Sequence, residues 1–156
     1  MSLPKKIVSG GQTGVDRAAL DVAMRLGIPC GGWCPKGRFA EDGRIPPTYP
    51  LIETPAREYA ERTCWNVRDS DGTLILTFGE PAGGTALTRV FALQEHKPHL
   101  VIDLETKPTV TGAHRWINNH NIAVLNVAGP RASTVPGIYP LATQFLETLF
   151  AELGAR

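Results

Sequence analysis

The sequence predicts an α/β domain built on a mostly parallel sheet, and three observations carry that expectation. Short apolar runs alternate with helix-period stretches along the whole chain. The runs at 73–78 and 100–104 are almost continuously apolar, as strands covered on both faces are. Three runs end in glycine-bearing turns from which a helix departs. Such an alternation closes with right-handed crossovers. At 156 residues the chain fits a single domain, 1–156.

The first unit is Lys6-Ile7-Val8-Ser9-Gly10-Gly11-Gln12-Thr13-Gly14 followed by a helix. Val15, Ala18, Ala19, Val22, Ala23 and Leu26 recur at i, i+3, i+4, i+7, i+8 and i+11, one face of that helix. Gly27 suits its left-handed end. Residues 28–33 read as a second strand, with Pro29 pointing to a sheet edge. Residues 34–50 have neither period and hold Lys36 and Arg38 around Gly37. Loops of this length inside compact domains are often functional. Thr54-Pro55 reads as the cap and first position of a helix ending near Asp69.

The strand at 73–78 leads into Gly79-Glu80-Pro81-Ala82-Gly83-Gly84-Thr85 and a helix with Leu87, Val90, Phe91 and Gln94 at helical spacing. Lys97-Pro98 ends that helix, and 100–104 is the next strand. A helix opening at Thr109 or Thr111 runs to about His120. The last strand, 122–127, meets the third turn, Ala128-Gly129-Pro130-Arg131-Ala132-Ser133. A final helix begins near Pro140, with Leu141, Phe145, Leu149 and Leu153 at steps of four.

Composition narrows the function. Lys+Arg is 16 against Asp+Glu 15, so the formal charge of +1 gives no electrostatic case for a general nucleic-acid binder. No apolar run has the length of a membrane span. Lys5 and Lys6 lead into a strand rather than a signal-peptide core, so the expected location is cytoplasmic. The three cysteines, Cys30, Cys34 and Cys64, read as reduced thiols rather than a zinc set. His96, His99, His114 and His120 are scattered, and no metal site is expected.

A helix N-terminus carries unpaired N–H groups and partial positive charge, and glycines admit a ligand close to the backbone. Together these make an anion site, most often for phosphate. Tight turning alone is the plainer explanation of the glycines. The spacing is neither G-x-G-x-x-G nor the Walker A loop, since no lysine follows Gly14. In a parallel sheet all three turns leave one edge and converge, which favours one composite site. Its candidates are Gly10, Gly11, Gln12, Thr13 and Gly14, then Gly83, Gly84 and Thr85, then Asn126, Gly129 and Arg131. Lys36 and Arg38 offer cations from the long loop. Asp16 stays open between a helix-dipole role and ligand contact. Asp69, Ser70 and Asp71 precede a strand and read as caps. Trp33 reads as packing, with stacking on a flat ring as the alternative.

Gly10-Gly11-Gln12-Thr13-Gly14-Val15-Asp16-Arg17 resembles the opening of the molybdenum carrier (molybdenum cofactor carrier-like) family. So do Gly32-Trp33-Cys34-Pro35-Lys36-Gly37-Arg38, Glu41-Asp42-Gly43, Tyr59-Ala60-Glu61-Arg62-Thr63 with Asn66-Val67, Ser70-Asp71-Gly72-Thr73 and Gly83-Gly84-Thr85. The motifs keep the family's order over nearly the whole chain. That family is similar to a wider Rossmann-like group containing the cytokinin-activating phosphoribohydrolases and the DNA-processing protein A domain. The resemblance implies a Rossmann-like three-layer sandwich with a five-stranded parallel sheet. It also implies a phosphorylated ligand, molybdenum cofactor or another nucleotide-like molecule, and a homo-oligomer.

The phosphoribohydrolases carry a catalytic glutamate three positions after the threonine of the second turn. Here that position is Thr88. N-glycosidic cleavage needs a group that steadies the developing cation or activates water. Asp16 or Glu80 would have to substitute, so the expectation is a carrier or sensor rather than an enzyme. A nucleotide or nucleotide-sugar hydrolase is the alternative, and a single-stranded nucleic-acid binder the weaker one.

Overall fold

The computed structural model describes residues 3–155; Met1, Ser2 and Arg156, the outermost residues of the expected domain, lie outside them. In chain order the elements are β1 (Lys6–Val8), α1 (Val15–Arg25), β2 (Cys30–Gly31), β3 (Trp33–Cys34), β4 (Phe39–Ala40), β5 (Gly43–Arg44) and β6 (Ile52–Glu53). Then come α2 (Tyr59–Arg68), β7 (Gly72–Thr77), α3 (Gly83–Gln94), β8 (His99–Asp103), a 3-10 turn at Leu104–Thr106, α4 (Thr111–Asn119), β9 (Val124–Ala128) and α5 (Ile138–Gly154).

The main sheet has five strands in the order β2-β1-β9-β7-β8, and every pairing in it is parallel. The last strand of the chain therefore lies at the centre. Counting β9 as first turns the order into 3-2-1-4-5, that of a Rossmann sheet. The chain ends agree with such a permutation: a Cβ on Gly154 would stand 3.5 Å from Leu3. The crevice where strand order reverses then falls between β9 and β7.

Helices cover both faces. α1, α4 and α5 bury their apolar sides with Ile7, Leu74, Leu76, Leu125 and Val127 in one large core. α2 packs on α3 over the opposite face. Strand residues alternate between faces, so Thr73 and Thr77 of β7 lie on the α2–α3 side. That side is polar even where buried: Thr73, Thr77, Asn126, Arg62 and Asn66 are all inaccessible to solvent or nearly so. Asn126 Nδ2 donates to Thr73 Oγ1 at 3.2 Å, pairing two of them across neighbouring strands.

Two expected elements differ. The second strand breaks at Gly32, whose φ of +130° turns the chain where a Cβ would meet Ser9 O at 2.4 Å. Trp33 and Cys34 leave the sheet and pair with β6. The helix expected from Thr54-Pro55 begins only at Tyr59. Thr54 N continues the β3–β6 ladder to Cys34 O, and Ala56 O accepts from Lys36 N. Those backbone commitments outweigh the Thr-Pro start signal. Asp71 acts as the expected cap, accepting from Ala123 N and Val124 N at the amino ends of the strands.

Candidate functional site

A cleft of about 440 Å³ opens at the carboxyl rim of β1, β7 and β9, within the range of roughly 300–1,000 Å³ for small-molecule sites. Each of the three glycine turns contributes to its wall, so the turns do meet. The first supplies Gly10, Gln12 and Asp16; the second supplies Phe78, Glu80, Gly83, Gly84 and Thr85; the third supplies Asn126, Gly129 and Arg131.

The three turns differ in what they leave free. At α1 the start is already occupied: Val15 N donates to Pro130 O, and Arg17 N to Gln12 O. Gly14 makes that possible, with φ +81° and no Cβ to strike Pro130 O. At α3 no side chain caps the helix, and the N-cap is Ala82. Gly83 and Gly84 are exposed on the cleft, and among the described residues their amides have no backbone partner. Nothing lies within 4 Å of where their Cβ atoms would stand. The open amides thus sit on the second turn, beside the buried Thr85.

Other expected residues lie elsewhere. Gly11 packs towards Leu51 and Ile45, and Gly14 against the third turn, so neither lines the cleft. Thr13 ties turns together: its hydroxyl bonds Glu41 and accepts from Ala132 N at 3.1 Å. Lys36 is exposed and away from the cleft wall. Arg38 is buried and donates to the carbonyls of Ile45, Pro46, Tyr49 and Leu51. The guanidinium holds the long loop together, away from the cleft wall. That loop is pinned beside α1 by Arg17, which grips Asp42 with both terminal nitrogens. It does not cover the cleft. Trp33 packs edge-on against Trp65 at 4.8 Å and donates to Asp69, also outside the cleft.

The fourth wall is α2. Tyr59, Arg62, Thr63 and Asn66, at i, i+3, i+4 and i+7, present one polar face to the cleft. Arg62 is buried, donates to Gly10 O at 2.6 Å and lies 5.1 Å from the Tyr59 ring centroid. It is the buried cation of the site. The sequence signal was available: a polar stripe at helical spacing where a sheet-facing helix normally carries aliphatics.

Asp16 is buried on the cleft wall and accepts from Gln12 N at 3.2 Å. Burial pushes its carboxyl above the usual range, and Arg62 nearby offsets only part of that. Thr88, where the phosphoribohydrolases have their acid, is buried and donates to Gly84 O at 2.9 Å.

The circularly permutated YpsA SLOG family matches residues 7–150. A crystal structure of a protein from Syntrophus aciditrophicus SB, described as "Putative molybdenum carrier protein", is 52% identical, with each chain covered to 94% and a TM-score of 0.89. No curated protein matches the chain.

Proposed function

The chain belongs to the circularly permutated YpsA SLOG family, and from that premise we propose that it binds a small phosphorylated ligand of nucleotide or pterin type, with molybdenum cofactor as the first candidate. The observation that carries this reading is the cleft itself. Uncapped α3 amides, the Thr85 hydroxyl and the buried Arg62 guanidinium all border one cavity. Helix N-terminal amides and arginine both pair well with phosphate oxygens. The description of the Syntrophus aciditrophicus protein as a molybdenum carrier is what makes molybdenum cofactor the first candidate.

The test is mass spectrometry of whatever is released when the purified protein is denatured, followed by co-elution with molybdenum cofactor. A stoichiometric phosphorylated heterocycle supports the reading. Displacement of molybdenum cofactor by an unrelated nucleotide at comparable concentration removes the carrier role.

One observation favours a second reading, hydrolysis of a nucleotide. Asp16 is a buried acid on the same cleft, with the exposed Glu80 at its mouth. Two carboxyls in contrasting surroundings are the usual arrangement for acid and base roles. Incubation with nucleoside monophosphates and assay for free base tests it. Release that survives Asp16→Asn excludes Asp16 as the acid.

A further inference from the structure

Two aromatic side chains of the cleft wall are partly exposed. Tyr59 opens α2 and is 37% exposed; Phe78 follows β7 and is 40% exposed. Both line the cleft, together with Thr63, Asn66, Thr77 and Thr85. Single exposed aromatics are ordinary; two on the wall of one cleft are a pattern.

Tyr59 is also held in place. The Arg62 guanidinium sits over its ring at 5.1 Å. A cation against one face leaves the ring's other face for a partner. The same Arg62 reaches Gly10 O on the first turn. One side chain therefore spans from the aromatic rim to the inner wall.

Resting on the phosphate reading above, we propose that Tyr59 and Phe78 form a ring-binding subsite, which holds a flat heterocycle carried by the phosphorylated ligand. The phosphate lies towards Gly83, Gly84 and Arg62. The heterocycle lies on the aromatic rim, where the sequence had offered Trp33 and the long loop instead. Purine nucleotides and pterin phosphates share this chemistry, since guanine and pterin have the same aminopyrimidinone edge.

The measurement is the ratio of dissociation constants of ribose 5-phosphate, which has no heterocycle, and GMP. A parallel arm replaces GMP with 6-hydroxymethylpterin phosphate. In the wild-type chain the ring phosphate binds more tightly. Tyr59→Ala and Phe78→Ala each reduce that advantage about 5- to 150-fold, the span that base–aromatic stacking gives on alanine substitution. Tyr59→Phe keeps it, which separates ring contact from loss of fold. The tighter of the two ring phosphates identifies the source. A wild-type ratio near one, or a ratio unmoved by both alanine variants, overturns the subsite and leaves the phosphate reading intact. Binding of none of the three probes overturns both.

Discussion

Arg62 Nη1 donates to the carbonyl oxygen of Gly10 at 2.6 Å, joining residues 52 positions apart. The contact fixes α2 against the first turn, and a Cβ on Gly10 would stand 2.7 Å from that same nitrogen. Arg62→Ala leaves a buried carbonyl without its donor and the cleft without its buried cation. Stability should fall by about 1–3 kcal/mol, and affinity for GMP by at least about tenfold, the worth of one charge-assisted phosphate contact. Arg62→Lys should recover little, because an ammonium cannot reproduce the fork. Thermal unfolding and calorimetric titration check both parts. Unchanged affinity in Arg62→Ala would make the residue purely structural.

The second turn should separate binding from stability. Gly84 has no neighbour within 4 Å of a Cβ, and its φ is not positive. A carboxylate in the first turn of a helix is favoured by about 0.3–1 kcal/mol. Gly84→Asp should therefore hold or raise the melting temperature while repelling a phosphate from the cradle. Opposite signs in unfolding and titration are the expected result. Parallel losses would point to misfolding at α3, and intact affinity would move the phosphate elsewhere.

Asp16 should impose a pH dependence. Its folded carboxyl is raised by burial, with Arg62, the Gln12 amide, the Ser9 hydroxyl and Arg17 each pulling it down in part. A raised acid contributes fully below its unfolded value of about 3.9, and that contribution is lost as pH rises through the folded value. Asp16 thus weighs against the fold at neutral pH. Asn keeps an acceptor for Gln12 N without the charge. The melting-temperature gain of Asp16→Asn over wild type should grow as pH rises from about 4. A gain independent of pH would mean that Asp16 stays ionised throughout.

Most of the fold was legible because the chain repeats one local grammar: apolar run, glycine, helix. The apolar runs placed all five main-sheet strands, and the glycine turns after three of them meet at one rim. That grammar could not show which turn stays open. The answer depends on Pro130 O reaching Val15 N, a contact between residues 115 positions apart. Nor could it show which arginine faces the cleft. Arg38 stands in a glycine-flanked loop and looked available, yet four carbonyls of that loop consume it. Arg62 sits mid-helix and was not among the expected site residues, yet it faces the cleft. Loop composition reports exposure on average; the partners of an individual guanidinium are set by tertiary contacts. The delayed start of α2 has the same origin, since backbone bonds to the 34–36 segment overrode a sound capping signal.

Glu41 gives the loop its own acid sensitivity. Its carboxylate accepts from the hydroxyls of Thr13 and Ser133 and from Ser133 N at 3.1 Å, while its amide donates to Gln12 Oε1 at 2.9 Å. One exposed side chain thereby links the β4–β5 hairpin, the first turn and the third. The Ser133 and Thr13 hydroxyls hold its carboxyl below the usual range, with Arg131 adding to the effect. A lowered acid contributes above its unfolded value of about 4.3 and loses that contribution as pH falls through the folded value. Glu41→Gln should then be less stable than wild type at neutral pH, with the gap closing as pH drops below about 4. Because Glu41 is exposed, the gap should be modest and should shrink in high salt where Arg131 is screened. Thermal unfolding of the two chains across pH 2.5–7 reads it directly. A gap that stays constant down to the lowest pH would assign the carboxylate no share in holding the hairpin to the turns.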